Sequence, residues 1–170
     1  MTLSIPDISD DDDTVTAALA YAAAGWYILP VQTDTKHPGS VVGKAWPALS
    51  SRDPKTITAW FAGTNHGIAL HCGRSGAIVL DVDNYDTIPD EVLAAIETTG
   101  CPHQSSRPDQ PGRGHYLFEN TTGRRIGNGL GKLATTPKWG EVRGANGVII
   151  VAPSIHPDGG HYHWRRTGPL

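Results

Sequence analysis

The run Ala77-Ile78-Val79-Leu80-Asp81-Val82-Asp83 constrains this chain more than any other segment. An apolar strand of the kind found in buried sheets ends in two carboxylates spaced i, i+2. Successive side chains on a strand point to opposite faces, so Asp81 and Asp83 emerge on the same one. They stand close enough to hold one or two hard cations through oxygen ligands. Apolar runs ending in acidic pairs recur in enzymes that transfer nucleotidyl groups with two metals. Strands also end in Asp for turn chemistry, so the pair by itself does not choose between the two.

The surrounding chain narrows the choice. Its 170 residues suit one domain or two tightly joined modules. No apolar run reaches membrane-spanning length, and the start MTLSIPDISDDDD is acidic, without the basic region of a secretory signal. Cys72 and Cys101 form no CxxC pair and read as packed, reduced thiols of a cytoplasmic protein. A net charge of -3 argues against a protein that grips nucleic acid over its whole surface. The charge is uneven, however. Arg124, Arg125, Lys132 and Lys138 lie in an acid-free stretch, either a local template-binding face or a plain solvated loop.

Residues 1–13 read as a flexible acidic lead or a capping region, and residues 14–170 as the folded domain. Helices are expected over Thr14–Ala24, closed by Gly25, and from Asp53-Pro54 through Phe61, where an Asp cap precedes Pro at the first helical position. A third is expected over Asp90–Thr98. Strands are expected at Trp26–Val31, Gly67–Cys72, Ala77–Asp83, His115–Phe118, Glu141–Arg143, Gly147–Ala152 and His161–Trp164. Gly67–Cys72 and Ala77–Asp83, separated by Gly73-Arg74-Ser75-Gly76, read as a hairpin. Few helices with strands clustered late give an α/β or α+β domain with helices on one sheet face.

Three further segments join the acidic pair. In Pro111-Gly112-Arg113-Gly114-His115 the glycines allow backbone amides to approach a phosphate, with Arg113 and His115 as donors beside it. In Glu141-Val142-Arg143 a carboxylate and a guanidinium share one strand face. Arg143 there is either a phosphate ligand or a structural partner of Glu141 or Asp83. Val151-Ala152-Pro153-Ser154 runs a strand into a hydroxyl-bearing turn. A third carboxylate beside Asp81 and Asp83 would complete a two-cation site of the sort nucleotidyl transfer needs. His156, His161 and His163 with Asp158 form no closed four-ligand zinc pattern, and a strand pair around Gly159-Gly160 explains them better. The five tryptophans default to core packing, with Trp46 and Trp139 placed in loops where they would also be able to stack on bases.

Taken in order, these segments resemble the N-terminal primase-polymerase domain of the archaeo-eukaryotic primase superfamily, in its plasmid and bacteriophage branch. The matching stretches are Gly25-Trp26-Tyr27-Ile28-Leu29-Pro30-Val31 with Lys36 and Pro38, Trp60-Phe61, Gly67–Gly73, Ser75–Asp83, Gly114–Phe118, and Glu141–Gly147 continuing through Pro153-Ser154 to Gly160 and Trp164. The resemblance spans about residues 15–164. It implies a small N-terminal α/β module followed by a module like an RNA-recognition motif, with the active site in the cleft between them. It implies that Asp81, Asp83 and Glu141 bind catalytic Mg²⁺ or Mn²⁺, and that His115 contacts the incoming nucleotide. Read from the residues beside these, Arg113, Gly114, Arg143 and Ser154 are further candidate nucleotide contacts, and Lys36 a nucleotide or template contact. The expected activity is template-dependent primer synthesis and extension from (d)NTPs on single-stranded DNA, in a phage or plasmid replication protein of a bacterial cytoplasm. The expected partner is a C-terminal helicase or helical segment. Two positions depart from the family pattern: the third acid is Glu141 rather than Asp, and Arg113 replaces a small residue. The alternative from another class is a non-catalytic nucleotide- or nucleic-acid-binding module.

Overall fold

Local chemistry starts both N-terminal helices. The structure, a computed structural model, describes residues 2–170. The Asp13 carboxylate accepts the N–H groups of Val15 and Thr16 (3.0 and 3.2 Å) and so caps α1 (Thr14–Ala23), whose Ala17, Ala18 and Tyr21 are buried. After β2 (Ile28–Val31) and a one-turn α2 (Trp46–Leu49), Asp53 caps α3 (Pro54–Phe61) through the Thr56 N–H at 2.8 Å. Ile57 and Phe61, one turn apart on α3, are buried.

α1 and α3 pack on a three-stranded antiparallel sheet of β2, β3 (Gly67–His71) and β8 (Val148–Val151), in the order β2-β3-β8. Every residue of β2 and β3 is buried, as befits strands covered on both faces. The expected hairpin does not form. Cys72–Ser75 make a single helical turn, α4, ended by Gly76 at φ 85°, and this turn carries the chain out of one sheet into another. β3 takes the apolar strand Val148–Val151, β8, as its second neighbour and not β4 (Ala77–Val82). β4 pairs instead with β6 (Gly114–Glu119) and β7 (Gly140–Arg143).

The second sheet is antiparallel and five-stranded, in the order β7-β4-β6-β5-β9, with β5 at His103–Ser105 and β9 at His163–Arg166. With α5 (Asp90–Thr99) after β4, the strands β4, β5, β6 and β7 follow the split βαβ order of an RNA-recognition-motif-like sheet. Where such a sheet would carry its second helix, residues 120–139 hold only a 3₁₀ turn at Gly131–Leu133. The α+β class is as expected. The two modules are interleaved rather than consecutive, since β8 returns from the far side of β7 to the first sheet.

The two faces of the five-stranded sheet meet different cores. Leu80, Val82, Tyr116 and Val142 pack with α5 through Val92 and Ile96, and with Trp139. Ala77, Val79 and Leu117, on the opposite face, join the core of the first sheet. Trp139 is fully buried and donates its indole N–H to Leu133 O at 2.7 Å, so it is core and not a base-stacking platform. The acidic lead, expected to be flexible, is built into the fold. β1 (Ser4–Ile5) pairs with β10 (Gly168–Pro169), and Leu3, Ile5 and Ile8 are buried. Cys72 and Cys101 are free and buried. Among the described residues no helix is long and apolar enough to cross a membrane.

Candidate active-site cleft

Register places the acidic strand at the centre of the site. Asp81 pairs directly with His115 on β6 and with Glu141 on β7, so three chemically active side chains stand abreast on three adjacent strands. Period-two alternation then adds Asp83, Arg113 and Arg143 to the same face. These residues line one cleft of about 380 Å³, together with Lys36, Gly114, Gln104, Arg107, His156 and Tyr162. Gly114 has φ 135°, and any side chain there would collide with the Gln104 carbonyl. Its role is therefore close packing of β5 on β6 at the edge of the cleft, more than the phosphate approach expected of it.

Each carboxylate is held by a cation of the same chain. One nitrogen of Arg143 bridges Asp81 Oδ2 at 2.9 Å and Glu141 Oε2 at 2.8 Å. Lys138 Nζ lies 2.8 Å from Glu141 Oε1, and Arg113 lies 3.0 Å from Asp83 Oδ1. His115 Nε2 is 3.5 Å from Asp81 Oδ1. Burial alone would raise the Asp81 pKa. Hydrogen bonds from His115 and Arg143, with the charge of Arg143, outweigh that and hold the carboxyl well below the usual carboxylate range. Arg143 Nε is a buried polar atom with no hydrogen-bond partner among the described residues, so the guanidinium has a donor to spare.

Gln104 orients the histidine. Its amide is fully buried, donates to Ile150 O at 2.6 Å and to His115 Nδ1 at 2.8 Å, and accepts the Ala152 N–H at 3.4 Å. With Nδ1 accepting, the His115 proton resides on Nε2, the atom facing Asp81. Tyr162 stacks behind the same ring, 6.2 Å away and 15° from parallel.

Sequence reasoning finds Asp81, Asp83, Glu141, His115, Arg113, Arg143, Gly114 and Lys36, and all of them line the cleft. Ser154 does not. Its hydroxyl accepts the Ile68 N–H at 2.8 Å, and it fixes the turn after β8 to β3. Arg124, Arg125 and Lys132 are exposed on the irregular segment after β6. Lys138, assigned with them to template, is instead engaged with Glu141. Gln104, Arg107, His156 and Tyr162 were missed as site residues. The sequence carries no signal for Gln104, which lies outside every expected strand; His156 lies in the histidine-rich segment that forms no zinc pattern. His163 pairs with Asp10 at 3.1 Å.

Among the described residues no three His, Cys, Asp or Glu side chains are gathered into a ready metal cage, because the acids are turned to their cations. The donor chemistry nonetheless fits a hard divalent ion: three carboxylates on adjacent strands, one held firmly ionised.

The model of one family, the N-terminal domain of bifunctional DNA primase/polymerases, matches residues 18–170. No curated protein and no solved structure matches the chain.

Proposed function

The chain belongs to the bifunctional DNA primase/polymerase N-terminal domain family, and on that premise we propose that it is a template-dependent nucleotidyltransferase of a phage or plasmid replication protein. It starts DNA strands and extends them from (d)NTPs. The observation that carries this reading is the cross-strand alignment of His115, Asp81 and Glu141.

Asp81, Asp83 and Glu141 are the residues that would hold Mg²⁺ or Mn²⁺. Bound there, the ions would supply charge neutralisation at the phosphates and a lowered pKa for the attacking 3'-hydroxyl. The protein's own part is positioning. Gln104 and Tyr162 fix the His115 ring so that Nε2–H stays on the Asp81 side, as a donor for the phosphates of an incoming nucleotide. Arg143 and Arg113 are counter-ions of the acids while the cleft is empty of substrate. With ions held by the carboxylates, these guanidiniums would be free to take triphosphate oxygens, and the Arg143 Nε–H already lacks an acceptor among the described residues. Arg124, Arg125 and Lys132 offer a sequence-independent grip on template phosphates. A C-terminal helicase or helical segment is the proposed partner.

The test is incubation with a primed and, separately, an unprimed single-stranded template, with each nucleotide type and Mg²⁺ or Mn²⁺. Incorporation on the primed template, abolished by chelator, is expected. No incorporation on either template with either ion overturns the reading.

A further inference from the structure

We propose that the cleft contains a second anion subsite, built from Lys36, Arg107 and His156, that receives the terminal phosphate of a nucleoside triphosphate. This rests on the nucleotidyl-transfer reading and assigns residues which that reading leaves without a role. The three side chains come from three separate connections, those following β2, β5 and β8, yet all line the cleft that holds Asp81.

His156 is 7% exposed. Its Nδ1 accepts the Asp158 N–H at 3.1 Å, which leaves Nε2–H as its donor. Nε2 has no partner among the described residues, and the ring lines the cleft, so a donor is available there to a ligand. Burial first, then the charges of Lys36 and Arg107, hold His156 below its ordinary pKa and keep it a neutral donor. Arg107 is steadied by Asp158 Oδ2 at 2.6 Å, but that carboxylate is 63% exposed and leaves the other guanidinium N–H groups free to bind.

Charge separates the two walls. On the wall of β4, β6 and β7, Asp81, Asp83 and Glu141 are balanced by Arg143, Arg113 and Lys138. Among the other lining residues, Lys36 makes no ion pair with any described residue, Asp81 being its strongest charged neighbour, and Arg107 and His156 share one exposed acid, Asp158. The surplus is positive where a terminal phosphate carries most charge. Tyr162 spans the interval, its ring 6.2 Å from His115 and 5.6 Å from His156. A triphosphate with its reacting end at His115 would therefore reach His156 one aromatic ring further on.

The experiment measures the affinities of dATP, dADP and dAMP for the whole chain, by calorimetry with Mg²⁺ present. The wild type is expected to prefer triphosphate to monophosphate. Arg107→Gln with His156→Asn should weaken dATP roughly tenfold or more and leave dAMP unchanged. Lys36→Gln, at an exposed position that threatens no folding, should weaken dATP about threefold to tenfold. Variants that keep the wild-type preference, or lose all three nucleotides equally, overturn the subsite while primer extension by the wild type leaves the transferase reading standing. A wild-type chain that binds no nucleoside triphosphate overturns both.

Discussion

One face of β4 and β6 carries two opposite environments. At one end Ala77, Val79 and Leu117 are buried against the first sheet. At the other, two to six residues along the same strands, Asp81, Asp83, His115 and Arg113 line a polar cleft. The positions are equivalent by alternation, and the backbone pairing is continuous across them. What differs is cover: the first sheet packs directly on the apolar end, whereas at the acidic end a cleft lies between them, lined on one side by Val148, Ile149 and Ile150 of β8. A fold can thus hold an ionised cluster on a sheet face whose other half is core, provided the covering layer parts from it at the right residue and each acid meets a cation.

The sharpest way to break this contrast is at the acidic end. Asp81→Asn with Asp83→Asn should lower nucleotide incorporation by roughly a thousandfold or more, several kcal/mol of transition-state stabilisation. Asp81→Asn also removes a largely buried partner of Arg143 and His115, so the thermal midpoint should fall by a few degrees and the rate is read on the folded fraction; a primer-extension rate near wild type would remove the acids from the chemistry. The apolar end should respond in the opposite sense. Leu117 is fully buried, and Leu117→Ala should cost about 3 kcal/mol of stability in denaturant unfolding, with nucleotide affinity of the folded fraction retained.

The reverse face gives a third, pH-dependent handle. His103 stacks on Tyr116 with centroids 4.0 Å apart, and burial, only partly offset by its bond to Arg113 O, pushes its pKa down to about 4. The unfolded chain therefore binds this proton first. The stability is complete above about pH 6.5 and is lost as pH falls toward about 4. About 2 kcal/mol should be lost between pH 8 and pH 5 from this residue alone, and His103→Gln should remove that part of the slope in urea titrations. The smallest effect concerns template. Replacing Arg124, Arg125 and Lys132 with Gln should flatten the log–log salt dependence of single-stranded DNA binding by about 2, at roughly 0.7 per contact, and leave nucleotide affinity alone. An unchanged slope would move the template path to another surface.

The acids were legible because an apolar run ending in Asp-x-Asp announces both its burial and its exposed end. His115 and Glu141 were legible through their neighbours. Partner choice was not, since Gly67–His71 is apolar throughout and its pattern does not say whether β4 or β8 will lie beside it. β5 was hidden for the opposite reason: His103-Gln104-Ser105 is polar yet buried, and only the bonds to Ile150, Ala152 and His115 explain why Gln104 is tolerated there. Residues 2–13 looked loose because their charges outnumber Leu3, Ile5 and Ile8, the three side chains that anchor them.

The pairing of β1 with β10 sets Ser4 opposite Pro169, and Leu170 N–H donates to Leu3 O at 3.0 Å. The two ends of the described chain thus leave the domain side by side. A pull applied through them opens this short pair one bond at a time, like a zipper, before any load reaches the sheet that aligns Asp81 with His115.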